Sequence, residues 1–482
     1  MSPRLAAVLL CVLVPARAAQ DSGGAEQGRE EQQQGETQET QEKKDPPPPV
    51  PAPETQDPKP APAGDAGGTP PASEAPPPAL TPASPAPLRA PVAWPLDGDG
   101  LAAVMHELAL TYPALCTLQP LGRSSSGREI LSLTITDASR PAAGKPALLL
   151  VDHQGRESCG PEAALELAWR LCERQAADEN VRALLARTTL VIAPALDPDT
   201  RAATVPSPGR VSFERNFPSG WEPETLRQGA GRTSLCQPET LAAARFLAVQ
   251  EPAAVLLGFA PVAPARAPYP EAELPAGDRA VFARIASALE LPGRPAVVPW
   301  YELGSPGGSL FDFAYQARGM FPLALPLPGE DERTPEALAA WNAEVLERVL
   351  ACLALLPRLE VVQEGLERLA ADTWQLDLRL GNGGVVPTLS SLALRRELGA
   401  DVALRLSGAK LVATAQRPDG EGGFQDASFH AGGARSTLSG GTLAGGEGRW
   451  LRLILEAPSG TTVEIQATSP WAGSAGLTLV LP

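Results

Sequence analysis

The chain has 482 residues and a formal charge of −16, from 56 acidic and 40 basic side chains. That length exceeds one ordinary domain and predicts two folded units with tails. The charge argues against nucleic acid and anionic membrane surfaces as main partners, since both require a cationic face.

Residues 1–19 read as an export signal. Arg4 supplies the positive start, residues 5–14 the apolar stretch, and Ala16-Arg17-Ala18 a small-x-small cleavage site. The apolar stretch is too short to span a bilayer, and no later one is long enough, so a secreted or periplasmic protein with no transmembrane segment is expected. Cys11 follows the bulky Leu10, which speaks against a lipoprotein signal. Residues 20–92 are first rich in Glu and Gln and then in Pro, with eighteen prolines between Asp45 and Pro91. Such composition cannot bury enough apolar surface to offset ordering, and it predicts a disordered, semi-extended spacer. Beyond the signal lie Cys116, Cys159, Cys172, Cys236 and Cys352, dispersed and without a CxxC pair. The compartment permits a disulfide, at least one thiol stays unpaired in a monomer, and buried packing is the expected role of most.

Residues 93–357 alternate between two periods. Residues 101–112 carry apolar side chains at helical spacing, and 130–135 and 147–152 read as strands. The second of these is a continuous apolar run of the kind covered on both faces. A helix over 161–174, a strand over 189–193, a helix over 238–249 and a strand over 253–257 follow. Helices over 278–289, 310–317 and 334–355 surround a last apolar run, 321–327. This order predicts an α/β fold: a mixed, mostly parallel sheet with helices on both faces. From residue 359 to 482, short apolar runs (375–380, 402–406, 451–456, 462–467, 477–481) alternate with Gly-rich turns, the pattern of an antiparallel β-sandwich.

The motifs of the first unit come in a recognisable order. Gly122, Ser124, Gly127, Arg128 and Ile130 form a GxSxxGRxI segment. A strand then runs into Gly155-Arg156-Glu157 and a helix. Next come Leu196–Asp199, Arg215-Asn216-Phe217-Pro218, Pro238-Glu239-Thr240 and the stretch Tyr301–Gly319. Together they resemble the catalytic domain of zinc metallocarboxypeptidases of the carboxypeptidase A/D type. The closing stretch, with Asn382-Gly383-Gly384 and Ser469-Pro470-Trp471, is similar to the β-domain appended to large bacterial members.

The resemblance implies a zinc site of two histidines and a glutamate, yet the chain has only His106, His153 and His430. Aligned on Gly155-Arg156-Glu157, Gln154 stands at the first histidine and Glu157 at the glutamate. Phe259 stands at the second histidine, and Pro326 at the general base on the last strand. His153 is one residue off, and neighbouring strand residues point to opposite faces, so it does not simply deputise unless a bulge re-aims it. Proline inside a central strand removes a ladder donor, so local distortion is expected around Pro326. Ser212 occupies the place of an aspartate that orients the first histidine, and Glu214 that of an asparagine that helps hold a substrate carboxylate. Arg215 retains the place of the carboxylate-gripping arginine, and Tyr301 that of the tyrosine closing over peptide. Each has a purely structural alternative: Arg215 pairing with Glu214 or Glu157, and Tyr301 packing. The expectation is a family member without zinc or catalysis, whose old cleft binds peptide or protein C-termini. The alternatives are an active zinc enzyme with an unusual ligand set, and a scaffolding protein with a vestigial cleft.

Overall fold

A computed structural model describes residues 92–139, 144–203, 210–250, 253–260, 274–293, 296–303, 307–418, 423–430 and 433–482. The expected export signal and all but the last residue of the expected spacer lie outside the described residues.

Helix α1 (Gly98–Thr111) starts where Asp97 accepts the Gly100 N–H at 2.8 Å, and it buries Leu101, Met105 and Leu108 at helical spacing. Seven strands follow in one sheet: β1 (Cys116–Arg123), β2 (Glu129–Ile135), β3 (Ala147–Val151), β4 (Thr189–Ala193), β5 (Ala253–Ala260), β6 (Val298–Pro299) and β7 (Phe321–Pro326). Their order is β1-β2-β4-β3-β5-β7-β6, with the four central strands parallel and the flanking pairs antiparallel. Every residue of β3, β4 and β7 is buried, as expected of apolar strands covered on both faces. The covering helices are α2 (Gly160–Ala177), α3 (Glu179–Arg187), α4 (Pro198–Ala202), α5 (Pro238–Val249), α6 (Ala276–Ala288), α7 (Leu310–Arg318) and α8 (Pro335–Leu355). Helix α2 packs on α1, α3 and α8, and α5 packs on α7. Four of these helices open with proline in the first turn, where its missing N–H leaves no bond unmade.

Four elements of this unit, β1, α3, α4 and β6, had no counterpart in the predicted pattern. β1 is irregular, with a register shift between Pro120 and Gly122, so its apolar residues do not alternate. Helix α3 is short, and it begins at Asp178, whose carboxylate caps Asn180 and Val181. The distortion expected around Pro326 is absent, for a geometric reason. Leu327 N–H donates to Ala260 O at 3.0 Å, so by alternation the N of Pro326, like that of Pro322, faces away from β5. On that side β6 pairs only with Leu323 and Ala324, and neither proline interrupts a ladder bond.

The C-terminal region holds β8 (Leu359–Ala370), β9 (Thr373–Asn382), α9 (Ser391–Arg395), β10 (Val402–Ser407), β11 (Lys410–Pro418), β12 (Gln425–Phe429), β13 (Arg435–Gly441), β14 (Gly448–Glu456), β15 (Thr462–Ser469) and β16 (Gly473–Val480). They form two antiparallel sheets, β12-β11-β14-β9-β8 and β13-β10-β15-β16, around a second core that includes Leu376, Leu378, Leu404, Leu453 and Ile465. Alternating burial along β10 and β15 is the period-two signature of strands covered on one face.

The α/β core also draws residues from the C-terminal region. Val386, Leu389, Leu392, Ala393 and Trp471 belong to the α/β core, with the Trp471 ring edge-on to Phe321 at 6.3 Å. Asp278 of α6, 1% exposed, accepts the N–H groups of Ser391 (2.6 Å) and Leu392 (2.9 Å) and the hydroxyl of Tyr315 (2.8 Å). One buried carboxylate therefore caps a helix from the other region. Among the described residues no helix is long and apolar enough to cross a membrane.

Candidate functional site

The retained motifs build a scaffold. Asp199 at the start of α4 accepts Ser124 Oγ (2.8 Å), Ser126 N (2.8 Å) and Arg128 Nη1 (2.9 Å). Burial opposes ionisation there, but these donors outweigh it and hold the carboxyl below its ordinary range. Glu239, buried in the first turn of α5, accepts Ser125 N–H at 2.8 Å. Asn216 is fully buried; its amide donates to Ala230 O (2.7 Å) and Thr233 O (2.9 Å), and its oxygen accepts Thr240 Oγ1 (2.8 Å). The GxSxxGR, LDPD, RNFP and PET segments thus interlock by hydrogen bonds among themselves.

Parallel strands β3, β5 and β7 are adjacent, so their C-terminal ends bring Gln154, Phe259 and Pro326 to one edge of the sheet. In open α/β sheets this is where ligands bind. The side-chain amide of Gln154 donates to the carbonyl oxygen of Phe259 at 2.5 Å, joining the two positions to each other. The Phe259 ring is buried, 5.8 Å from the Trp341 ring. It fills the space over Gly160, where an added Cβ would sit 2.5 Å from the ring and also meet Asp152. Glu157 is exposed and turns back on its own loop to accept Gly155 N–H at 3.2 Å.

The loop from Asp152 to Ser158 is held from below by Arg201, 0% exposed. Arg201 donates to Gly155 O and Ser158 O, each at 2.9 Å, and pairs with buried Glu162. Asp152, buried, accepts Gln154 N (2.6 Å) and Ser158 Oγ (2.7 Å); burial raises its pKa in spite of those bonds. On the outside, Arg333 donates to Glu157 O at 2.5 Å and lies over the Trp94 ring, 5.9 Å from its centroid.

His153 turns toward the Phe213–Arg215 turn. Its ring stacks on Phe213 at 4.8 Å and 12°, and its Nε2 lies 3.0 Å from Glu214 Oε1. The contact is an ion pair when the imidazole is protonated. Burial pushes the imidazole pKa down, but the Glu214 charge, with Asp152 and Asp197 behind it, outweighs burial and raises it above the ordinary value. Arg215, half-buried, donates to Gln228 O at 2.6 Å, pairing with neither Glu214 nor Glu157. Tyr301 packs edge-on to Phe282 of α6 at 5.3 Å. His106 and His430 lie elsewhere: His106 is exposed on α1, and His430 is 3.0 Å from Thr414 in the β-sandwich.

Residues 101–260 match the family model described as zinc carboxypeptidase. That segment is a domain of the zinc metallocarboxypeptidase family. Residues 358–480 match a domain of unknown function, DUF8731. Carboxypeptidase D of Anas platyrhynchos is 36% identical over 104 residues, which is 21% of this chain and 7% of that protein. Carboxypeptidase D of Homo sapiens is 35% identical over 104 residues, 21% of this chain and 8% of that protein. The chain therefore spans under a tenth of the curated relatives it matches. Among solved structures, thrombin activatable fibrinolysis inhibitor aligns with 53% of this chain and 73% of its own, at 16% identity and a TM-score of 0.43. Carboxypeptidase A of Helicoverpa armigera aligns with 54% and 74%, at 19% identity and 0.43.

The donor set at the strand ends does not fit the family's zinc ion. A phenyl ring has no lone pair, the Gln154 amide is committed to Phe259 O, and Glu157 alone falls short of the three protein ligands of a catalytic site. Pro326 offers no group to take a proton from water. Among the described residues no three His, Cys, Asp or Glu side chains converge in a metal-binding cluster. One surface hollow of about 370 Å³ lies on the sandwich and another of about 320 Å³ lies between the sandwich and Gly144 before β3, and neither touches these strand ends. Arg201 and Asp152, which fix the loop, were not singled out from the sequence. The signal for Arg201 is a lone arginine in an otherwise small helical turn after the LDPD segment.

Proposed function

We propose that this family member is an exported protein without zinc or peptidase activity, and that it binds peptide or protein C-termini at the former cleft. The observation that carries the first half is the Gln154–Phe259 bond, which ties two former ligand positions together over a packed aromatic ring. For binding, Arg215 supplies a guanidinium with five N–H donors, of which the Gln228 contact uses one, and a fork that matches a carboxylate. Glu214 is engaged with His153, which reduces its repulsion of an incoming carboxylate.

The test has two arms. Purified protein is incubated with zinc, desalted and assayed for metal by elemental mass spectrometry; near-stoichiometric zinc would overturn the loss of chemistry. Fluorescent peptides with free and amidated C-termini are then titrated onto wild type and Arg215→Ala. Binding of the free form only, lost in the variant, is expected; equal affinity for both forms would sink the cleft reading. The scaffolding alternative is supported by one observation, a surface hollow of about 370 Å³ on the sandwich lined by Arg405, Arg435 and Glu464.

A further inference from the structure

We propose that Cys116 and Cys172 are joined by a disulfide in the exported protein. Their sulfur atoms already lie 3.4 Å apart, and both residues are buried, at 4% and 2% exposure. A bonded pair stands at about 2.05 Å, so about 1.4 Å of approach closes the bridge. The site is built from two contacts side by side. Cys116 opens β1 and donates its N–H to Tyr112 O at 2.8 Å, while the Tyr112 ring lies edge-on to Trp169, 5.5 Å away. Trp169 and Cys172 are three apart on α2, hence on one face of that helix. The chain direction at β1 and the face of α2 are therefore fixed independently of the two sulfurs.

The other thiols have different surroundings. Cys352 and Cys159 are buried, and burial pushes them up to about 12 and about 11, while Cys236 is exposed and accepts the Asn216 amide at 3.3 Å. One bridge among the five cysteines of the described residues leaves Cys159, Cys236 and Cys352 as thiols.

Closing the bond removes one proton from each thiol and two electrons from the pair. The acceptor is a disulfide of the export compartment, carried by a small molecule or a protein, which is reduced to two thiols. The Cys116 contact, followed by burial, holds the Cys172 thiol far above its ordinary range, which keeps Cys172 protonated once the fold is closed. Exchange therefore takes place before α2 closes over β1, and the finished bridge is sealed from reductants. It ties β1, an edge strand held to the sheet by β2 alone, to α2. The loop it closes contains β2, β3 and the Asp152–Glu157 turn. The inference rests on export, not on peptide binding.

The experiment refolds the full chain from denaturant with reduced and oxidised glutathione, blocks free thiols with iodoacetamide and maps tryptic peptides without reduction. A Cys116–Cys172 linked peptide is expected, with Cys159, Cys236 and Cys352 alkylated. Reduction in denaturant and refolding without oxidant should lower the melting midpoint by about 5–15 °C, given the length of the closed loop. That difference should vanish in Cys116→Ala/Cys172→Ala. Quantitative alkylation of Cys116 and Cys172 in oxidatively refolded protein, or a linkage between other cysteines, overturns the proposal. If the double variant does not fold, the wild-type map decides alone.

Discussion

Replacing Asp278 with Ala tests whether the α/β unit and the sandwich are held together by a single buried carboxylate. The substitution removes three hydrogen bonds: from Tyr315 Oη at 2.8 Å, Ser391 N at 2.6 Å and Leu392 N at 2.9 Å. Bonds to a charged group contribute about 1.5–3 kcal/mol each, and three sharing one acceptor are less than additive. The N–H groups opening α9 and the Tyr315 hydroxyl would then be left without their acceptor in a buried place. A loss of about 3–5 kcal/mol follows. Tyr315→Phe is the control: it leaves both α9 bonds intact and should cost about 1.5–3 kcal/mol. Urea unfolding followed by tryptophan fluorescence gives the magnitude, and limited proteolysis between α8 and β8 shows whether the regions come apart. If Asp278→Ala unfolds within about 1 kcal/mol of wild type and is cut no faster, the carboxylate does not hold the regions together.

The His153–Glu214 contact carries a pH signature. The folded pKa of His153 lies above the ordinary 6.5, so its stabilisation is complete below about pH 6.5 and is lost as pH rises through the folded value. The melting midpoint of wild type minus that of His153→Gln should therefore be largest near pH 5 and shrink toward about pH 9; a flat difference would refute the pairing. Phe259→Ala should destabilise by about 3–5 kcal/mol by emptying the space beside Trp341, measured in the same urea assay; a change under about 1 kcal/mol would show that the ring is not packed there. Gly160→Ala should cost about 1–3 kcal/mol, because its Cβ meets the Phe259 ring, and the Gly160→Ala/Phe259→Ala pair should be less than additive. Treatment with EDTA should leave the melting midpoint unchanged, and a fall of several degrees would point to a bound metal.

Most of the fold was legible because the signals were local. Continuous apolar runs marked β3 and β4, and proline at a first turn fixed the start of α5 at residue 238, where the structure begins it. β1 escaped because its register shift breaks the alternation that reveals a strand. The β-region strands β11, β12 and β13 escaped because they are short of large apolar residues; every residue of β12 is exposed. At the candidate site, the substitutions at Gln154, Phe259 and Pro326 could be read from their place in the motif. Their physical consequences could not. That the Gln154 amide bonds a backbone carbonyl 105 residues away depends on which strands lie side by side. The direction of a proline N within a strand likewise depends on which neighbour pairs where, and composition is silent on that.

Trp471 occupies a place in the α/β core, although it is separated in sequence from the last β-strand of that sheet by the whole of α8 and most of the sandwich. A ribosome delivers the chain from its N-terminus, and domains generally fold as they emerge. Here the first core stays open beside Phe321 until the loop between β15 and β16 has been made. A chain lacking that loop would leave Phe321 without its Trp471 neighbour. Completion of the α/β core therefore waits on a loop of the second region.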